Sequence, residues 1–156
     1  MYKVLKIGDK DYKLEYGIEA SLFDDCVKSV MNMLVSTSGG TDRSLKEMVS
    51  GMNAFYAGLL QYHGNHSDGD GTVPDLDTAK KLAAQYMTEH KDDEQGNFYG
   101  LFSMCIEQME EDGFFKLTGL ETFMDNMNAA MDSVKAKKAK KAPKKPTDHL
   151  KKATAK

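Results

Sequence analysis

The chain has 156 residues and a formal net charge of −3, enough for one domain with a hydrophobic core and too few for two of ordinary size. With 40% hydrophobic and 29% charged residues it has the composition of a water-soluble protein, and no apolar run approaches the roughly 18–20 residues that cross a bilayer. The start, Met1-Tyr2-Lys3-Val4-Leu5-Lys6, lacks the apolar segment of a secretion signal, so a cytoplasmic location is expected, with no membrane partner.

Residues 2–16 read as a β-hairpin. Tyr2 and Val4 lead through Ile7 to a turn at Gly8-Asp9-Lys10-Asp11, after which Tyr12, Leu14 and Tyr16 alternate with Lys13 and Glu15. A lone hairpin is marginal in water, so its apolar face must lie on a helix or pair with another sheet edge. After Gly17, the residues Ile18, Leu22, Phe23, Cys26, Val27, Val30, Met31 and Leu34 mark one amphipathic helix with Asp24, Asp25 and Lys28 on its outer side. The polar run 36–41 is expected to be a loop.

Residues 45–63 carry the cleanest helical pattern and are expected at the centre of the molecule. Met48, Val49, Met52, Phe55, Tyr56, Leu59 and Leu60 recur at three- and four-residue steps, and Ser44 with Glu47 has the spacing of a capping box. Ala54, Ala57 and Gly58 are small enough for neighbours to come close. A polar loop follows Gly64, with Pro74 and Asp75 suited to the first turn of a helix reaching about His90. A further helix presents Phe98, Leu101, Phe102, Cys105, Ile106 and Met109 on one face and ends with Gly113 in the left-handed region. Thr118 and Glu121 form a second capping-box pattern, opening a last helix with Leu120, Phe123, Met124, Met127, Met131 and Val134 in line.

Charge divides the chain. Residues 135–156 hold ten lysines and one acid, a charge of +9, whereas residues 1–134 hold eleven basic and 23 acidic side chains, a charge of −12. The lysine-, alanine- and proline-rich stretch has no large apolar residue before Leu150 and is expected to be a disordered arm. The expected architecture is therefore mainly α with a small N-terminal β-hairpin (α+β): a compact helical domain over residues 1–134 and a basic arm over 135–156.

Chemistry-bearing patterns are sparse. The loop His66-Ser67-Asp68-Gly69-Asp70-Gly71-Thr72-Val73-Pro74-Asp75-Leu76-Asp77, aligned on Gly71, has the spacing of an EF-hand calcium loop, with Asp68, Asp70 and Asp77 as candidate ligands. Nitrogen from His66 at the first position and the short Asp77 at the last depart from that pattern, so a calcium-binding module is the alternative and no resident metal or cofactor is expected. His63, His66 and Asp68 lack a fourth zinc ligand in register. Cys26 and Cys105 fall on apolar faces, where free thiols act as small hydrophobes, and no nucleophile elbow, phosphate loop or dinucleotide pattern is present. The expectation is a binding protein, not an enzyme. The lysine arm offers nucleic-acid binding as a further alternative, but it has no aromatic or arginine and hangs from an acidic body. The last helix has the least chain after it to cover its stripe, which makes Phe123, Met124, Met127 and Met131 the candidate partner-binding residues.

The hairpin Lys6-Ile7-Gly8-Asp9-Lys10-Asp11-Tyr12-Lys13-Leu14-Glu15-Tyr16-Gly17, the segment Tyr56-Ala57-Gly58-Leu59-Leu60-Gln61-Tyr62-His63, and the later helices at 75–90 and 97–115 closing on Asp112-Gly113-Phe114-Phe115 together resemble the tail assembly chaperones of long-tailed bacteriophages and prophages. The resemblance spans about residues 3–117. It implies a non-enzymatic role in the host cytoplasm: keeping the long tape measure protein soluble and helping recruit tail tube protein, without remaining in the mature virion. Self-association stays open. The resemblance also implies a longer frameshifted form, and the Lys-Lys pairs at 137–138, 140–141, 144–145 and 151–152 suit adenine-rich slippery codons.

Overall fold

The computed structural model describes residues 1–35 and 41–140. It is mostly helical, with one two-stranded antiparallel hairpin at its start. The hairpin pairs β1 (Lys3–Ile7) with β2 (Lys10–Leu14) in the register Leu5↔Tyr12 and Ile7↔Lys10. Its turn is therefore only Gly8-Asp9, shorter than the four residues expected, and Lys10 and Asp11 belong to β2. Gly8 takes φ 63°, the left-handed value that the first position of a tight hairpin turn requires.

The segment after Gly17 is two helices, α1 (Ile18–Leu22) and α2 (Asp24–Val35), not one. Phe23 between them is extended, at φ −77° and ψ 100°. Asp24 and Asp25 are the first two residues of α2, and Asp25 and Lys28 are exposed, as expected of its outer side. The central helix α3 runs Thr41–His63, so it begins three residues before Ser44, the expected cap.

Helix α3 is the hub, as its periodicity predicts: it packs against α1, α2, β2, α4 (Leu76–Glu89) and α5 (Phe98–Glu111). Phe55, Ala57 and Leu59 of α3 are fully buried with Leu14, Tyr16, Leu101, Met109 and Phe114. Each such large side chain contributes about 1.5–3 kcal/mol on leaving water. The hairpin lies so close to α3 that a Cβ on Gly58 would come within 2.5 Å of Leu14 Cδ1 and 2.7 Å of Tyr16 Cζ.

Asp75 and Asn97 are the N-caps of α4 and α5, their side chains accepting from the backbone N–H of Thr78 and Gly100. Gly113 has φ 70° just past α5, as expected, and leads into the short α6 (Phe114–Leu117). The second capping box does not form. Thr118 donates its hydroxyl back to the Phe114 carbonyl at 2.8 Å, and Gly119 at φ 77° separates it from α7 (Leu120–Lys140). Helix α7 continues past Val134 into the lysine-alanine stretch, which is helical to Lys140 where an arm was expected from residue 135. Residues 141–156 lie outside the described residues. Two compact units divide the chain: the first is Met1–Glu121, so it ends short of 134, and the second begins at Thr122.

Candidate partner-binding site

The loop between α3 and α4 uses its carboxylates to hold itself together. Asp70 accepts from the Thr72 backbone N–H at 2.9 Å and the Thr72 hydroxyl at 2.5 Å through one oxygen, and lies 3.0 Å from His63 Nδ1 through the other. Burial opposes ionisation of Asp70, but the Thr72 and His63 hydrogen bonds outweigh it and hold the carboxyl below its ordinary range. Asp77, in the first turn of α4, pairs with Lys80 at 3.5 Å on the open surface, a contact of little energetic weight. Asp68 is exposed, and its N–H donates to His66 Nδ1 at 3.3 Å, while His66 Nε2 donates to the Leu60 carbonyl at 2.6 Å. The Asp70 and Asp77 carboxylates thus turn to different partners, and the Asp68 contact runs through its backbone N–H. Among the described residues no group of three or more His, Cys, Asp or Glu is placed to hold a metal ion.

His63 is the least exposed polar member of this region, and it ties three elements together. Its Nε2 accepts the Lys13 backbone N–H of β2 at 2.8 Å, its Nδ1 faces Asp70 Oδ2 and, at 3.1 Å, Thr72 Oγ1, and its ring meets Tyr12 edge-on at 5.2 Å. At the other end of the hairpin Asp112 does similar work, accepting the Tyr16 N–H at 2.8 Å and the Gln108 side-chain amide at 2.9 Å. Neither tie to the hairpin follows from local sequence, because Lys13 and Tyr16 lie 50 and 96 residues away along the chain from His63 and Asp112.

Cys26 and Cys105 are free and buried, as expected. Burial pushes both thiols up to about 12, which keeps them protonated at neutral pH. Tyr16, fully buried beside them, donates its hydroxyl to the Ala54 carbonyl at 2.9 Å, and burial raises its ionisation well above the ordinary tyrosine value.

Of the partner-binding candidates on α7, Phe123 and Met124 are half-buried, and the side chains of Met127 and Met131 lie outside the described residues. Other apolar residues are more available. Ile18 and Leu22, expected to face inward, are 63% and 73% exposed, and Val49 of the α3 stripe is 62% exposed. Ile18 and Leu22 share one face of α1 at i, i+4 spacing. The break at Phe23 is the physical cause: it ends the helix before α2, and Ala20 is the residue of α1 that is buried. The Asp24-Asp25 pair, a helix-start signal, is the sequence feature that would have revealed the break.

Among the described residues no helix is long and apolar enough to cross a membrane. Comparison with family models, with curated proteins and with solved structures finds no match to this chain.

Proposed function

We propose that this chain is a tail assembly chaperone of a long-tailed phage or prophage, acting in the host cytoplasm and absent from the finished particle. It binds the tape measure protein, keeps it soluble and helps bring tail tube subunits to it. The observation that carries this reading is the pair Ile18 and Leu22, two large aliphatic side chains left in solvent on one face of α1 beside a closed core. An exposed aliphatic pair on a short helix suits docking of another amphipathic helix, and the acidic body keeps a protein with such a surface dispersed.

The test is co-expression with the long helical protein encoded next to it. The wild-type chain is expected to move that protein into the soluble fraction and to co-purify with it. Ile18→Ser combined with Leu22→Ser is expected to lose both effects while its own melting temperature stays within a few degrees of wild type, since these side chains already face water. A partner equally insoluble with and without the wild-type chain overturns the proposal.

A further inference from the structure

We propose that His63 is a proton-operated latch on the outer edge of strand β2, holding that edge to helix α3 when its ring is neutral and releasing it when the ring takes a second proton. The hairpin register makes Lys13 a residue whose N–H points away from β1: Ile7↔Lys10 closes a two-residue turn, so Lys10, Tyr12 and Leu14 bond across to β1 while Asp11 and Lys13 face outward. That outward edge is covered by α3 through two hydrogen bonds, Lys13 N–H to His63 Nε2 at 2.8 Å and Glu15 N–H to the Gly58 carbonyl at 2.8 Å. The second acceptor is a carbonyl and does not titrate. The first is an imidazole nitrogen.

A backbone amide can only donate, so Nε2 must carry its lone pair, and the network places the single ring proton on Nδ1, between Asp70 Oδ2 at 3.0 Å and Thr72 Oγ1 at 3.1 Å. A proton taken from solvent has only Nε2 to occupy. There it sets an N–H against the Lys13 N–H, two donors with no acceptor between them in a site where His63 is buried. Among the described residues, the titratable residues in contact with the ring are Asp70 from the loop and, from β2, Tyr12 and, through its backbone N–H, Lys13; His66 lies in the same loop. Asp70 supplies a counter-charge to the imidazolium. The Lys13 ammonium lies over the rings of Tyr2 and Tyr62, at 4.6 Å and 4.9 Å. His66 spends its nitrogens on the Leu60 carbonyl and the Asp68 N–H, and Tyr12 presents a ring edge. A second proton can therefore sit only on Nε2, against the Lys13 N–H, and the relief is for the imidazole to let the strand edge go. A strand edge with a free outward amide is a template for strand addition.

The experiment is residue-resolved amide exchange on the full chain, corrected for intrinsic rates, between about pH 7.5 and about pH 5, across the range in which imidazoles ordinarily titrate. Protection of the Lys13 amide is expected to fall about fivefold on acidification, the equivalent of one ordinary hydrogen bond, while Tyr12, bonded across to β1, keeps its protection. His63→Gln places a non-titrating carbonyl near the Nε2 position, and Lys13 is then expected to stay protected at both pH values. The ¹⁵N shift of His63 Nε2 in the wild type should report a bare nitrogen at the higher pH. Unchanged Lys13 protection in the wild type, the same loss in His63→Gln, or a protonated Nε2 at the higher pH each overturns the latch.

Discussion

At Gly58 a single hydrogen decides whether the hairpin can close on α3. Alanine is the better helix former, but its methyl would press on the Leu14 and Tyr16 side chains, both fully buried. Gly58→Ala is expected to lower stability by about 1–3 kcal/mol, read by urea titration with circular dichroism. Tyr16→Phe removes the hydroxyl from the Ala54 carbonyl and is expected to cost about 1 kcal/mol in the same assay. The two thiols give a kinetic check. With Cys26 and Cys105 buried and held at about 12, an aromatic disulfide reagent at mild alkaline pH is expected to label neither in the native protein and both after denaturation. Fast native labelling of either would show that the core opens.

Helix ends carry the predictions at the scale of the element. Asn97 satisfies an N–H of the first turn of α5, and Asn97→Ala is expected to cost about 1 kcal/mol. Asp75 caps α4 on Thr78, whose hydroxyl and amide hold the Asp75 carboxyl below its ordinary range; Glu89 is held low likewise by the Gly8 N–H and the Gln85 amide. A carboxyl lowered in the folded state stabilises it above the unfolded value, and that contribution disappears as pH falls through the folded value. Thermal midpoints should therefore hold steady at neutral pH and fall as pH drops below the usual carboxylate range, with the slope reduced in Asp75→Asn. Capping-box spacing does not by itself fix where a helix begins. Ser44-Glu47 and Thr118-Glu121 both have the spacing, yet α3 starts at Thr41, before the first of them, and Gly119 interrupts the second.

Across the whole molecule, the division at Glu121/Thr122 makes the first unit a candidate for independent stability. A chain ending at Glu121 keeps the hairpin, the hub helix α3 and the buried Leu120, and is expected to unfold in one cooperative step near the wild-type midpoint. Its far-ultraviolet signal should drop by the contribution of α7 alone. A broad or strongly lowered transition would show that residues beyond 121 complete the core.

Periodicity and turn chemistry by themselves determined the α+β class, the hairpin, the central place of α3 and the left-handed glycine after α5, because each depends on residues within one or two turns of one another. Tertiary structure alone decided that Ile18, Leu22 and Val49 stay in water and that Asp70 turns to His63 and Thr72 instead of joining Asp68 and Asp77. It also placed His63 on the Lys13 amide and Asp112 on the Tyr16 amide, across 50 and 96 residues of chain. The reason is physical: hydrophobic spacing shows which side of an element can be buried, but which surfaces meet, and which polar atoms must then find partners, is set only when the elements pack.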